Sequence, residues 1–263
     1  MQKNKRSMLA PQRHALILDH LRGNGSASLA TLTRLTGASE STIRRDLLEL
    51  SQRSGSVRRI HGGVISARLE SSTYEPPAQV AEQLHPQAKQ RIGAAAAGLI
   101  LDGQSVMFDS SSTVMEAARA AVRRGLAITA ITNDLATAQV LNTSAAGCVI
   151  VTGGTVRPDT NTLYGPSCES LLRSVYVDLL FLGVHAVSGT GATESSIEIA
   201  DIKRHMIATA KRVVLLADQS KFGRSSFTQI CGLEDIDALV TDATPEQCEA
   251  LGLQERGMEI LRV

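Results

Sequence analysis

Apolar positions recur along this chain with two different periods. Over residues 12–21, Ile17, Leu18 and Leu21 share one side of a predicted helix, which Gly23, Asn24 and Gly25 stop. Residues 29–36 repeat the pattern with Leu29, Leu32 and Leu35, and Gly37-Ala38-Ser39 breaks it. Ser39 is then placed to cap a third helix over 40–50, with Glu40 favourable against the helix dipole. Two short strands, 57–59 and 64–65, flank the turn His61-Gly62-Gly63. Three helices followed by a small hairpin are the parts of a winged helix-turn-helix.

Beyond this head the pattern changes. Residues 66–77 hold Ser71-Ser72-Thr73 and Pro76-Pro77 with little apolar content, so a linker is expected there, reaching residue 85. From Pro86 onward, apolar strand-like runs at 105–109, 127–132, 148–152, 178–183, 213–217, 238–241 and 259–263 alternate with amphipathic segments such as 113–124 and 197–211. That alternation predicts an α/β domain around a mostly parallel sheet. The expected division is a winged helix-turn-helix at 1–65, a linker at 66–85 and an α/β effector-binding and oligomerisation domain at 86–263.

Composition narrows the classes. With 263 residues, 43% hydrophobic and 20% charged, the chain can bury a sizeable core and is not wholly disordered. The longest apolar stretch, 92–101, is glycine-broken and too short for a bilayer, so no membrane partner is expected. Four cysteines without C-x-x-C spacing, and no secretory signal at the N-terminus, read as reduced thiols in a cytoplasmic protein. No metal site and no cofactor are expected. Charge is uneven: residues 1–65 hold 11 Lys and Arg against 4 Asp and Glu, and the remainder 16 against 22. A head of net +7 on a body of net −6 points to a polyanion as the head's partner.

In the third helix, Ile43, Leu47 and Leu50 fall on one face, which leaves Ser41, Arg44, Arg45 and Leu48 on the other and Ser39 and Glu40 at the tip. The N-terminal part of such a helix enters the major groove, where Arg matches guanine and small hydroxyls such as Ser41 and Thr42 reach phosphate or base edges. Arg58, Arg59 and His61 add wing cations for the backbone or minor groove. An Arg-Arg pair by itself reads equally as a solvated helix face. Its position after the turn, inside a basic segment, favours double-stranded DNA.

In the body, Asp109, Ser110, Ser111, Ser112 and Thr113 follow a strand and open a helix. A helix N-terminus with hydroxyl donors suits a phosphate, and an ordinary capping cluster is the alternative. Asn133, Gly153 and Gly154 end neighbouring strands, where open α/β sheets bind ligands, although the glycine pair also fits a tight turn. Lys203, Arg204 and Lys221 are the candidate cations. One of Lys203 and Arg204 is expected at the surface, and Lys221 is open between touching ligand and pairing with a local carboxylate.

The block 39–47, Ser-Glu-Ser-Thr-Ile-Arg-Arg-Asp-Leu, followed by Arg59-Ile60-His61-Gly62-Gly63, resembles the signature of DeoR-type bacterial transcriptional repressors. Asp102-Gly103, Asp109-Ser110-Ser111-Ser112-Thr113, Thr132-Asn133, Gly153-Gly154, Ile202-Lys203-Arg204, the run 218–223 and Thr241-Asp242 follow that family's sensor domain in order. The resemblance implies a sensor similar in fold to ribose-phosphate isomerase, and a repressor of a sugar-catabolic operon. It implies a phosphorylated sugar as inducer, releasing the protein from operator DNA. A homodimer or homotetramer is expected, since two-fold symmetry is usual for such heads. An enzyme is not expected. The competing reading, a sugar-phosphate isomerase or deaminase, lacks catalytic carboxylates in the loop 184–188, which departs from the acidic or Asn-bearing versions common in the family; His185 is the loop's one candidate base, and a lone His in an apolar stretch is more often structural. Ser111 stands where many members carry Gly.

Overall fold

The structure, a computed structural model, describes residues 8–24, 26–54, 57–60, 62–66, 72–73, 75–144, 147–253 and 257–263. The chain forms two compact units, residues 1–80 and 81–263.

In the first unit, α1 (Ala10–Asn24), α2 (Leu29–Thr36) and α3 (Glu40–Ser54) pack around Ile17, Leu21, Leu32, Ile43 and Leu47, all nearly inaccessible. Ser28 caps α2 by accepting from the Thr31 N–H at 3.0 Å, and Gly37 ends it at φ 68°, its N–H on the Thr33 carbonyl. β2 (Val57–Ile60) and β3 (Gly63–Ser66) form the wing hairpin. A third strand, β1 (Ser26–Ser28), pairs with β3. Three residues between two helices are too few for a periodicity to reveal, so β1 was not expected. Asp46 is buried and accepts from Arg13 Nε at 2.7 Å and Nη2 at 2.9 Å, a bidentate pair tying α1 to α3.

The segment expected as linker holds a short helix, α4 (Ala78–Gln83). Next come α5 (Pro86–Ala97), β4 (Ser105–Phe108), α6 (Ser112–Arg123), β5 (Thr129–Thr132), α7 (Leu135–Leu141) and β6 (Cys148–Val151). A small hairpin, β7 (Thr155–Val156) with β8 (Leu163–Tyr164), leads through α8 (Pro166–Ser174) to β9 (Leu179–Leu182). After β10 (Ala186–Ser188) and β11 (Gly191–Glu194) come α9 (Ile197–Ala208), β12 (Val213–Leu216) and β13 (Thr228–Cys231). β14 (Ala238–Thr241), α10 (Pro245–Glu249) and β15 (Glu259–Arg262) end the chain.

All seven expected strands join one parallel sheet in the order β15-β14-β12-β9-β4-β5-β6. Alternation splits the strands between two cores. Val106, Phe108 and Phe181 meet α5 and α6 on one face, and Met107, Leu180 and Leu182 meet α8 and α9 on the other. The inner strands β4, β9, β12 and β14 are buried on both faces and read as continuous apolar runs, which is why they were visible in the sequence. β10, β11 and β13 form a separate antiparallel sheet that was not expected, since its short strands carry mixed side chains.

Candidate DNA interface and effector site

On α3 the apolar positions point inward as expected, and Ser41, Arg44, Arg45 and Leu48 are exposed. Ser39 caps the helix by accepting from the Thr42 N–H at 3.3 Å, and its hydroxyl also meets those of Ser41 and Thr42 at 2.9 and 2.8 Å. Arg44 donates to Glu40 at 2.9 Å, one turn away, with both side chains more than half exposed. The pair therefore costs little to open. Arg58 and Arg59 are exposed on β2, where only Val57 faces the core. His61 lies outside the described residues. The unit thus presents a helix tip of hydroxyls and arginines together with a basic strand.

In the second unit the strand order defines the crevice. Sequence order runs outward from β4 through β5 and β6 on one side, and from β9 through β12, β14 and β15 on the other. The connections diverge between β4 and β9, and ligands of open α/β sheets bind at the carboxyl ends of such a pair. Asp109 follows β4 and Gly183 follows β9. The Asp109 N–H donates to the Phe181 carbonyl at 3.1 Å, and Gly183 N–H donates to Asp109 Oδ2 at 2.9 Å. A Cβ on Gly183 would lie 2.2 Å from that of Ser111, so only glycine lets the serine loop close this tightly.

Ser111 caps α6, its hydroxyl accepting from the Thr113 N–H at 3.3 Å, so one of the candidate hydroxyls has a structural task. Ser110 and Ser112 are partly accessible and Thr113 is buried. Asn133 is buried behind them. Its Nδ2 donates to the Leu163 carbonyl at 3.3 Å and to Ser110 Oγ at 3.4 Å, while its Oδ1 has no partner. Gly153 and Gly154 are exposed and lead into the β7–β8 hairpin, where a Cβ on Gly154 would meet the Tyr164 carbonyl at 2.4 Å. The close approach at Gly154 is to its own chain. Tyr164 and Ser196 line a neighbouring cavity of about 210 Å³ together with Arg157, Glu198 and Ile199.

Lys203, expected among the cations facing ligand, is buried. Its ammonium contacts Glu194 at 2.7 Å, the Gly183 carbonyl at 2.8 Å and Asp109 at 3.1 Å. Burial alone would lower its pKa, but the two carboxylates outweigh this and drive it up. Burial raises the Asp109 carboxyl, whereas Lys203 overcomes burial at Glu194 and holds it ionised. Asp109 Oδ1 has no partner. Lys203 therefore anchors the crevice floor, and Arg204 is the surface member of the pair, bonded to Asp201 and to the carbonyls of Gln229 and Ile230. Asp109 and Glu194 thus bring two carboxylates together around Lys203. Glu194 gave no sequence signal because it lies in a polar run, Thr-Glu-Ser-Ser, on an unforeseen strand.

Lys221 is half-buried in the turn after β12 and makes no ion pair within 4 Å among the described residues; burial lowers its pKa. Asp218 in the same turn accepts from the Ser220 N–H at 3.0 Å, and its buried Oδ2 has no partner. The turn runs beside β10 through a bridge between Val187 and Phe222. His185, just before β10, is held near pKa 4 by burial and by Lys221, so its imidazole is neutral at physiological pH. Lys89, buried in the first turn of α5, also belongs to this end of the sheet. It was missed because a lone lysine in an alanine-rich helix reads as a solvated one.

A winged helix-turn-helix unit joined to an α/β unit with a polar crevice at its switch point defines a ligand-responsive, DNA-binding transcriptional regulator. The chain belongs to the DeoR family. Residues 13–69 match the DeoR-like helix-turn-helix domain and residues 84–243 the DeoR C terminal sensor domain. It is 35% identical to the HTH-type transcriptional regulator GlpR of Haloferax volcanii over 97% of this chain and 98% of that protein. With the HTH-type transcriptional repressor GlcR of Bacillus subtilis it shares 32% identity over 97% of this chain and 96% of that one. With the HTH-type transcriptional repressor CsqR of Escherichia coli it shares 30% over 95% and 94%. These relatives are regulators, and the isomerase or deaminase alternative falls away. Ribose 5-phosphate isomerase A of Methanocaldococcus jannaschii covers 52% of this chain and 54% of its own at 17% identity and a TM-score of 0.39, a level that says nothing about activity. Among the described residues no helix is long and apolar enough to cross a membrane, and no group of metal-ligating side chains is found.

Proposed function

We propose that this regulator represses a sugar-catabolic operon and leaves its operator when a phosphorylated sugar binds the sensor unit. The observation that carries the reading is the switch-point crevice. There the first turn of α6, at the positive end of the helix dipole, and the hydroxyls of Ser110 and Ser112 adjoin buried oxygens of Asp109 and Asn133 that lack partners among the described residues. Helix amides and hydroxyls suit a phosphate, and the partnerless acceptors suit sugar hydroxyls. Lys221 is the proposed cation of this site. Gly153 and Gly154 have a smaller place in it than their position implied, and Lys203 acts on the ligand only through Asp109 and Glu194. On the DNA side, Ser39, Glu40, Ser41, Thr42, Arg44 and Arg45 are proposed to meet the major groove, with Arg58, Arg59 and His61 on the backbone or minor groove. A homodimer or homotetramer would present two such heads to a two-fold operator.

The test is fluorescence anisotropy on DNA upstream of the protein's own gene against scrambled DNA, near physiological salt, followed by a panel of sugar phosphates. A preference of about 10³ or more, lost on adding one member of the panel, is expected. Equal, salt-sensitive binding to both DNAs would sink the reading of a specific repressor. Operator binding that no panel member weakens would sink the proposed inducer.

A further inference from the structure

Lys89 differs from Lys203, the other almost wholly buried cation of the sensor unit. It is 5% exposed, and its ammonium donates to the Ala81 carbonyl. Among the described residues no carboxylate lies within 4 Å of it, whereas Lys203 is matched by two. An ammonium has three donors, and among the described residues one of these is used.

Its position follows from the topology. α5 runs into β4 and α6 runs back from it, so the two helices lie parallel with their N-termini at the carboxyl-end edge of the sheet. They touch closely: a Cβ on Gly93 would lie 2.5 Å from the Glu116 carbonyl carbon. One turn back from Gly93 is Lys89, and one turn back from Glu116 is Ser112. Lys89 therefore borders the N-terminus of α6. On its other side, Arg91 of α5 reaches Asp242 at 3.4 Å, and Asp242 accepts from the Gln219 N–H at 2.8 Å, which brings the Lys221 turn alongside. Burial and the neighbouring Lys221 lower the Lys89 pKa to about 8, as befits an ammonium short of counter-charge.

Its one partner leads elsewhere. Ala81 lies in α4, the helix at which the chain passes from the first unit to the second. The Ala81 carbonyl also accepts from the Leu84 N–H at 3.2 Å, so Lys89 reinforces the closing turn of that helix. Another tie to α4 is a partly exposed ion pair between Glu82 and Arg119 at 3.8 Å, which is weak.

We propose that Lys89 bridges the anionic group of the effector at the α6 N-terminus to the Ala81 carbonyl, so that occupancy of the sensor site pins α4. This rests on the effector site proposed above and names the residue through which the site acts. A bound phosphate gives the ammonium its missing counter-charge, and its remaining donors form charge-assisted bonds. Effector binding and the order of α4 then become reciprocal.

Hydrogen–deuterium exchange of the full chain, with inorganic phosphate replacing chloride at constant ionic strength, separates the possibilities. In the wild type, phosphate should slow exchange severalfold both at residues 110–116 and at residues 78–84. Lys89→Gln, which can still bond the Ala81 carbonyl but carries no charge, should weaken phosphate binding by about tenfold or more. At phosphate levels that saturate this variant, residues 110–116 should be protected and residues 78–84 should not. Lys89→Arg should restore the response at 78–84. Protection at 110–116 in the wild type with unchanged exchange at 78–84 would overturn the bridge and leave the site standing. A Lys89→Gln chain indistinguishable from wild type would do the same. No protection at 110–116 in the wild type would overturn the site reading and the bridge with it.

Discussion

The two units meet anions by opposite means. The DNA-binding unit keeps its candidate DNA-contacting arginines at the surface: Arg44 and Arg45 project from α3, Arg58 and Arg59 from the wing, and Arg44 is paired with an exposed glutamate. The sensor unit buries three of its four lysines, Lys89 and Lys203 almost wholly and Lys221 in part, and leaves Lys211 exposed. The difference follows from the ligands. DNA is a long polyanion that exchanges salt counterions for protein cations, so solvated arginines on a basic unit serve it. A small effector must be enclosed, and a cation poised for it in a low-dielectric crevice must be balanced or stay short of charge. Lys203 takes the first course, with two carboxylates. Lys89 and Lys221 take the second.

Removing a balanced buried cation should have the largest effect. Lys203→Met would leave Asp109 and Glu194 facing each other without a counter-charge, and should cost about 3–5 kcal/mol of stability. Urea unfolding followed by far-UV circular dichroism measures this, since the chain has no tryptophan. A loss below about 1 kcal/mol would erase the contrast between the two units.

Arg45→Ala or Arg44→Ala should leave the urea midpoint nearly unchanged and weaken operator binding by about 1–3 kcal/mol. If the side chain reads guanine, preference relaxes at one base pair. An equal loss on every sequence in the anisotropy assay would make that arginine a phosphate contact only.

Ser112→Asp places a negative charge in the first turn of α6, where the effector's phosphate is expected. Induction should be lost while operator affinity and stability stay within about 0.5 kcal/mol of wild type. An inducer response that survives in the release assay would move the site elsewhere.

The smallest effect is on pH dependence. Lys89 ionises near pH 8 with Lys221 and Asp218 from the β12 turn, Glu82 from α4 and Glu116 from α6 around it. Its folded pKa lies below the unfolded value, so its charged form opposes folding, and its contribution to stability rises between about pH 8 and 10. Anion binding needs the ammonium, so phosphate affinity should fall above pH 8 by up to about tenfold per unit. Calorimetry across pH 7–9.5 checks the slope, and Lys89→Gln should flatten it.

Much of the fold was open to reading because its signals are local. The helices of the first unit announce themselves by spacing and by the Gly37 and Ser39 boundaries. The seven strands of the main sheet do so as apolar runs. The antiparallel sheet carrying Glu194 was hidden, because Gly-Ala-Thr-Glu neither alternates nor forms an apolar run. For the DNA interface, sequence and structure place the same residues outward, because a helix face is set by its period alone. For the effector site they diverge: Lys203, Lys221 and Lys89 are alike in sequence, but Lys203 meets two carboxylates and the other two make no ion pair within 4 Å among the described residues.

What the sequence by itself determined is the order of elements, the faces of the recognition helix, the parallel α/β class and the serine loop opening α6, since each depends on residues a few positions apart. The family too was legible there, in contiguous motifs. Only the tertiary structure decided which cations are balanced. Lys203 meets a carboxylate 94 residues away, and Lys89 lies beside a turn more than 120 residues on. Charge compensation depends on distances in space and on the water excluded between groups, and sheet order creates both only when the strands assemble.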